Sequence, residues 1–260
     1  EISVTGRYEK NILDRLNDTV FNFIDCKNTV CLDIGANIGN HSLFFANFFK
    51  KVHSFEPHPD VFELLKFNSR NNKNINIFQF ALSNENKKMD LKTDQATHYG
   101  ASSLEFKNLS KSFHASNVHL KKFDDISEEI IKENKLSFIK LDAENHELKV
   151  LEGMKQTLIK HSPIICFEQS IDVFDYYNDE ISSTTINYLK LNNYKYFYIL
   201  PTYRDWKFRS NNFPILNKIS HFIEIIFFGL PKRSKQLLKI KKFSKKTYYA
   251  IIVSKSPIDN

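Results

Sequence analysis

The sequence predicts an α/β fold in which helices flank a mainly parallel sheet of seven strands. Short apolar runs alternate with longer amphipathic ones, which is the pattern of β–α–β units. A glycine turn follows the first apolar run and opens a helix, as in folds that bind nucleotides. The 260 residues, 42% of them hydrophobic, suffice for one such domain with a full core, and they argue against wholesale disorder.

Apolar runs bounded by turn residues predict the strands, and apolar residues at helical spacing predict the helices. The predicted strands are 29–34, 51–55, 75–81, 138–141, 163–167, 194–200 and 247–254. The predicted helices are 40–49, 59–71, 126–134, 147–161 and 181–192. Residues 88–120 are richer in polar side chains, and we expect loops and short strands there. We expect one domain: a lid or helix over 1–28, a core over 29–200, a basic insertion over 201–246, and the last strand and tail over 247–260.

The net charge of +7 is concentrated in one late segment. The segment from Arg204 to Lys246 contains twelve Lys and Arg residues but only two acidic residues, Asp205 and Glu224. The rest of the chain is therefore slightly acidic. Within this segment, residues 213–230 carry apolar side chains close to helical spacing. Three interpretations stay open: a helix that covers the sheet with a solvated basic rim, peripheral contact with an anionic membrane, or recognition of an acidic acceptor.

The cysteines and the apolar stretches bear on the compartment. Cys26, Cys31 and Cys166 have no metal-ligand spacing, and we expect buried thiols in a reducing environment. The longest nearly unbroken apolar stretch, residues 222–230, is shorter than the ~20 residues that span a bilayer. Because no secretory signal opens the sequence, we expect a cytoplasmic protein, with peripheral contact at the inner face of a membrane as the alternative.

The strongest local signal is the glycine turn, Asp33-Ile-Gly35-Ala-Asn-Ile-Gly39. Gly35 would let a ligand approach the backbone, and Gly39 would let the helix pack closely. Glu56 ends the next strand, where a carboxylate can accept the two hydroxyls of a ribose. The turn lacks one glycine of the dinucleotide pattern, and Asp33 would repel a pyrophosphate but suits the ammonium of S-adenosylmethionine. The sequence therefore favours S-adenosylmethionine over a nicotinamide cofactor.

Further motifs follow in order and carry a family resemblance. They are Gly6-Arg-Tyr-Glu9, Phe55-Glu-Pro57, Ala81-Leu-Ser83, Gly100-Ala-Ser-Ser-Leu104, Phe123-Asp-Asp125, Phe138-Ile-Lys-Leu-Asp-Ala-Glu-Asn-His-Glu147 and Val150-Leu-Glu-Gly153. With the glycine turn, residues 5–170 resemble the FkbM family of class I methyltransferases. The resemblance implies a Rossmann-like fold, S-adenosylmethionine as cofactor, and methylation of a hydroxyl on a sugar or natural product. The sequence departs from the family at Asn145, which stands where its Asp-x-Glu-Gly segment has glycine.

The resemblance also assigns cofactor contacts. It implies that the glycine-turn residues surround the methionine moiety, that Glu56 and Pro57 lie at the ribose, and that Ala81 and Leu82 border the adenine. The glycine-turn residues concerned are Asp33, Gly35, Ala36, Asn37 and Gly39.

Methyl transfer requires an aligned acceptor and often the removal of its proton. The catalytic candidates are Asp142, Glu144 and His146, just past the fourth predicted strand. His146 is either a general base or a partly exposed histidine near a helix start, and Glu144 and Glu147 could instead stabilise that helix N-terminus. We predict no metal, although Asp142, Glu168 and Gln169 could converge on a divalent cation. His98 and Ser102–Ser103 are candidate acceptor contacts.

The function predicted from these features is O-methylation of a hydroxyl on a sugar, glycan or glycolipid, with a small molecule or glycan as the acceptor. We expect no nucleic acid partner, because the Asn/Asp-Pro-Pro-aromatic stretch of base-amine methyltransferases is missing after the fourth strand. The alternative is a catalytically inactive adaptor that binds membranes or acidic partners through the basic segment.

Overall fold

The computed structural model describes residues 9–94, 102–103, 113–177, 180–200, 237–244 and 246–258. The strands are β1 Val30–Ile34, β2 Lys51–Phe55, β3 Ile75–Phe78, β4 Ala81–Leu82, β5 Lys87–Asp94, β6 Ser102–Ser103, β7 Phe113–Lys121, β8 Leu136–Leu141, β9 Ile164–Gln169, β10 Asp175–Tyr177, β11 Glu180–Ser182, β12 Tyr196–Ile199, β13 Leu238–Lys239 and β14 Tyr248–Ser254. The helices are α1 Lys10–Arg15, α2 Asn40–Phe45, α3 Pro59–Ser69, α4 Ser127–Ile131, α5 Glu147–Glu152, α6 Lys155–His161 and α7 Thr184–Leu191.

The central sheet has eight strands in the order β13-β12-β14-β9-β8-β1-β2-β3. The five strands from β9 to β3 are parallel, and β14, β12 and β13 are antiparallel. The prediction of an α/β, Rossmann-like fold with a mainly parallel sheet is confirmed, but the sheet has eight strands and not seven, and three of them are antiparallel. The extra strand, β13, has two residues, and a strand that short leaves no periodic signal in a sequence.

Strands β1 and β8 lie at the centre of this sheet and are buried along their whole length. Both therefore read as continuous apolar runs, as expected when helices cover both faces of a parallel sheet. Because side chains alternate between the two faces, Leu32 and Ile139 enter one hydrophobic cluster and Cys31 and Phe138 enter the other. The second cluster contains the segment that follows α1, whose Phe21 ring lies 5.3 Å from that of Phe138.

A second sheet, in the order β4-β7-β5-β6, occupies the region predicted to be loops and short strands. That prediction was wrong, because β5 and β7 are antiparallel strands of eight and nine residues. Their buried residues form a small cluster, whereas several intervening residues are exposed. Strands with one solvated face carry too few apolar residues to stand out in a sequence. The buried cluster is Ala81, Leu91, Val118 and Leu120.

The predicted helix 147–161 is two helices, α5 and α6, separated at Gly153. A Cβ atom at Gly153 would lie 1.8 Å from the carbonyl oxygen of Ser83. Only glycine therefore allows the segment that follows β4 to lie this close to the start of α6. The other predicted helices and strands lie within a few residues of their predicted bounds, whereas the paired strands β10 and β11 were not predicted. The three cysteines are buried and free, as predicted.

Several predictions fall on residues outside the described ranges. The apolar run 213–230, His98 and most of the basic insertion over 201–246 lie there. Among the residues that the structure does describe, no helix is long and apolar enough to cross a membrane.

Candidate active site

A crevice of about 1030 Å³ lies at the carboxyl ends of the central parallel strands. This is where open α/β sheets bind ligands, and the volume is at the upper end of the roughly 300–1,000 Å³ of ligand pockets. Ten of the twelve predicted site residues line it, and Asp33 and Gly39 do not. The ten are Gly35, Ala36, Asn37, Glu56, Pro57, Ala81, Leu82, Asp142, Glu144 and His146.

The glycine turn after β1 packs between the ends of strands β2 and β8. The backbone N–H groups of Gly35 and Ala36 both donate to the carbonyl oxygen of Phe55 at 3.0 Å. Gly35 has φ of 72°, and a Cβ atom there would lie 1.8 Å from the carbonyl oxygen of Asp142. Position 35 therefore accepts only glycine. Gly39 begins α2 with φ of 90° and packs against Leu65, so it serves helix packing as predicted.

Glu56 is fixed at the end of β2 by the backbone of two loops. Its Oε2 accepts a hydrogen bond from the Asn37 N–H and its Oε1 accepts one from the His58 N–H, both at 2.9 Å. Burial is the main cause that raises the pKa of Glu56 to about 7. Since a carboxylate oxygen can accept more than one hydrogen bond, both oxygens can also receive ribose hydroxyls.

Asp33 lies behind the glycine turn and not in the crevice wall. Its side chain has no exposed surface, and its Oδ2 accepts a hydrogen bond from Ser42 Oγ at 2.5 Å. Its cross-strand partner is Lys140 on β8, whose Nζ lies 3.7 Å from Asp33 Oδ1. Direct contact between Asp33 and a ligand ammonium, as the sequence suggested, does not match this position.

Lys140 connects three parts of the site and was missed by the sequence reasoning. Its Nζ donates to the Gly35 carbonyl oxygen at 2.8 Å and lies 3.3 Å from Asp142 Oδ2. Burial disfavours the charge, but Asp142 and Asp33 more than offset it and raise the pKa of Lys140 above its usual value. The available signal was a lysine inside an otherwise apolar strand, because a buried lysine needs anionic partners.

The loop between β8 and α5 keeps the shape that a glycine would give it. Glu144 and Asn145 have φ of 50° and 74°, in the left-handed region. Asn145 stands where the family has glycine, and asparagine is among the non-glycine residues that most readily adopt this region. Glu147 fixes the loop, because its Oε1 accepts hydrogen bonds from the N–H groups of Ala143 and Asn145 at 3.0 and 3.2 Å.

His146 is 2% exposed, and its Nε2 lies 3.0 Å from Ser83 Oγ. Both interpretations of this residue expected an accessible side chain, which it does not have. The contact joins the start of α5 to the segment after β4.

The profile of the methyltransferase FkbM domain matches residues 33–196. The chain belongs to this family. None of the curated proteins matches the chain. Among solved structures, the FkbM methyltransferase of Methylobacillus flagellatus is similar at 17% identity and a TM-score of 0.39, over 54% of this chain and 32% of that one. This chain thus spans about a third of that protein.

Two further structures are similar. Precorrin-6y C5,15-methyltransferase of Geobacter metallireducens is 10% identical with a TM-score of 0.42, over 95% of this chain and 93% of that one. An RNA methyltransferase of Salinibacter ruber, in complex with S-adenosyl-L-homocysteine, is 14% identical with a TM-score of 0.34, over 62% and 76%. At these identities and TM-scores, the likenesses say nothing about the acceptor of this chain.

Residues 33–196 therefore form a methyltransferase domain, and the resemblance seen in the sequence implies S-adenosylmethionine as its methyl donor. The crevice suits such a ligand. Among the described lining residues there are six acidic side chains and one lysine, which suits a cationic sulfonium. The six are Glu9, Glu56, Asp142, Glu144, Glu147 and Glu168.

Further lining residues were not predicted for the donor site. Leu91 on β5 belongs to the same wall as Ala81 and Leu82. Glu9 and His41 form another wall, where Glu9 Oε2 lies 3.1 Å from His41 Nε2. Ser102–Ser103, a candidate acceptor contact, is strand β6 and pairs with β5.

The alternative of a divalent cation held by Asp142, Glu168 and Gln169 lacks the oxygen of Gln169. Glu168 lines the crevice, but Gln169 is buried and its Oε1 accepts a hydrogen bond from Ser183 Oγ at 2.8 Å, away from Asp142. In the part of the chain that the structure describes, no group of three or more His, Cys, Asp or Glu side chains could hold a metal ion.

Proposed function

We propose that this methyltransferase transfers the methyl group of S-adenosylmethionine to a hydroxyl of a sugar, glycan or glycolipid. The carrying observation is the order of the side chains along the crevice. Glu56 stands at the end of β2, the glycine turn at the end of β1, and Asp142 at the end of β8, which are neighbouring strands. A donor laid across these three strand ends would have its ribose at Glu56 and its ammonium at Asp142.

The adenine would lie against the apolar wall of Ala81, Leu82 and Leu91. Lys140 would fix Asp142 relative to the Gly35 turn, so that Asp33 acts on the donor through Lys140. S-adenosylmethionine supplies an electrophilic methyl carbon on a cationic sulfur. The task of the protein is then to align an acceptor oxygen with that carbon and to take the proton.

The charge of the crevice supports a neutral, hydroxyl-rich acceptor. Carboxyl groups form hydrogen bonds with hydroxyl groups, and Glu9, Glu144 and Glu168 also line the crevice. A phosphate would meet these acidic side chains and not the arginines and lysines that bind phosphates. This argues against nucleic acid, and also against the acidic acceptor that the basic late segment left open.

Donor binding is tested by calorimetry with S-adenosylmethionine and S-adenosylhomocysteine on the full chain. Glu56→Gln keeps the size of the side chain but removes its charge and one hydroxyl acceptor, and we expect at least a tenfold loss of affinity. Glu63→Gln is the matched control, because Glu63 is exposed on α3 and its Oε1 lies 3.4 Å from Lys66 Nζ. Folded wild-type protein that binds neither ligand would support the inactive adaptor and overturn the proposal.

The acceptor is tested with S-adenosylmethionine labelled in its methyl group. The panel should contain free sugars, nucleotide sugars, glycolipids and short RNAs, with mass spectrometry to locate the label. Label on a sugar oxygen supports the proposal. Label on RNA, the substrate class named for the Salinibacter protein, would refute it.

A further inference from the structure

The order of strand ends predicts where the acceptor lies. Neighbouring strands are about 4.8 Å apart, so a donor that extends from Glu56 on β2 to Asp142 after β8 covers three strand ends. The next strand on that side is β9. In the parallel register Leu141 pairs with Phe167, which places Asp142 beside Glu168. Glu168 and Ser170, which follow in the chain, line the crevice there.

Most other acid–base groups near the site are held by other contacts. His146 is buried against Ser83, and Glu147 is bound to two backbone N–H groups of its own loop. Asp142 lies 3.3 Å from Lys140 and is assigned to the donor ammonium in the proposed function. Glu144 is the remaining alternative. It sits in the loop before α5 and not on a strand of the sheet.

We propose that Glu168 is the general base that takes the proton of the acceptor hydroxyl. This inference rests on the proposed function. The acceptor oxygen forms a bond to the methyl carbon as the carbon–sulfur bond breaks, and the electron pair of that bond goes to sulfur. The hydroxyl proton goes to the Glu168 carboxylate, which releases it to solvent after the product has left.

The charges around Glu168 suit this role. Loss of solvation in the crevice is the largest cause, and the negative charges of Asp142, Glu9 and Glu144 add to it, so that the pKa of Glu168 rises to about 8, although Lys140 acts in the opposite direction. Asp142 and Glu168 thus stand side by side with different partners, one next to a cation and one among anions. Two neighbouring carboxyl groups with such different surroundings often take different roles in one site. A base with a pKa near the working pH is the most effective.

The ionisation of Glu168 can be measured without an acceptor. Infrared difference spectra of wild type minus Glu168→Gln, both saturated with S-adenosylhomocysteine, isolate the protonated carboxyl band of this residue. We expect the band to disappear with a midpoint near pH 8. A midpoint below pH 6 would overturn the proposal.

The second test of Glu168 measures turnover with the sugar acceptor identified in the screen. We expect Glu168→Gln to lower kcat by about 10²–10⁴-fold while the affinity for S-adenosylhomocysteine stays within twofold. The wild-type rate should rise with pH with a midpoint near pH 8, and this limb should be missing in Glu168→Gln. Glu133→Gln, at an exposed position before β8, is the control and should behave as wild type.

The two proposals fail in different ways. Wild-type kcat in Glu168→Gln, or loss of turnover in Glu144→Gln alone, would assign the base elsewhere and leave the proposed function intact. Failure of the wild-type chain to bind the donor would remove the proposed function, and the infrared midpoint of the unliganded chain would still report on Glu168.

Discussion

Replacing Lys140 with methionine should be among the most damaging single changes in the site. Methionine fills similar volume but leaves Asp33, which has no exposed surface, without the cation 3.7 Å away. It also removes the hydrogen bond from Nζ to the Gly35 carbonyl oxygen. Removing one partner of a buried ion pair costs about 3–5 kcal/mol. Because whole domains are stable by only about 5–15 kcal/mol, Lys140→Met should unfold at much lower denaturant concentration.

The assay is urea unfolding followed by circular dichroism, in a double-mutant cycle with Asp33→Asn. Asparagine can keep a hydrogen bond with Ser42 but carries no charge, so the double variant no longer buries an unpaired carboxylate. We expect the double variant to recover at least about 2 kcal/mol relative to Lys140→Met, because neutral replacement of a whole buried pair is often tolerated.

Two results would refute this account of Lys140. One is a loss below about 1 kcal/mol in Lys140→Met, the range of an exposed ion pair. The other is additive behaviour, in which Asp33→Asn destabilises Lys140→Met as much as it destabilises the wild type. Calorimetry with S-adenosylhomocysteine on the folded double variant then tests the site separately. Weaker donor binding is expected there, since nothing would hold Asp142 against the Gly35 turn.

Three further predictions concern the turn, the loop and the pH dependence. Gly35→Ala should lose donor binding and at least about 2 kcal/mol of stability, because its Cβ atom would collide with the Asp142 carbonyl oxygen and its φ is 72°. A donor affinity equal to that of the wild type in calorimetry would contradict this. Asn145→Gly should raise stability by about 0.5–1 kcal/mol, because φ is 74°, and a lower urea midpoint would show the reverse. Burial raises the folded-state pKa of Glu56 and of Glu147 to about 7, so the folded state binds more protons than the unfolded state between about pH 4.5 and 7. Stability of the unliganded chain should therefore fall as pH rises through that window, with a smaller slope in Glu56→Gln, and a flat thermal midpoint would contradict the shift.

The glycine turn and the carboxyl group of the proposed donor site could be placed from the sequence because both lie in one continuous segment. Gly35 and Glu56 belong to a single β–α–β unit, and spacing along the chain then sets position in space. The loop at Asn145 could also be anticipated, since an asparagine in place of glycine preserves the left-handed conformation.

The parts that the sequence did not predict depend on contacts between distant segments. Strands β5 and β7 are identified by their pairing with each other and not by an apolar run. The burial of His146 results from its contact with Ser83, 63 positions away. The role of Glu168 depends on the order of β8 and β9 in the sheet, which the strand sequence does not state.

The position of Asp33 shows that motif spacing can identify an acidic residue of the site without showing what its side chain contacts. Asp33 and Gly35 occupy alternate positions of one strand end, and Lys140 and Asp142 occupy alternate positions of the next. The register pairs Asp33 with Lys140, and the same alignment brings the Asp142 carbonyl against Gly35. An acid on a strand that is buried on both faces needs a cation within the sheet, because water cannot solvate it there. Lys140, two residues before Asp142, supplies this cation to Asp33 and leaves Asp142 at the crevice. Asp-x-Gly on one central strand and Lys-x-Asp on the next therefore form one cross-strand unit. The first acid holds the lysine, and the second lies at the crevice, where we propose that it binds the donor.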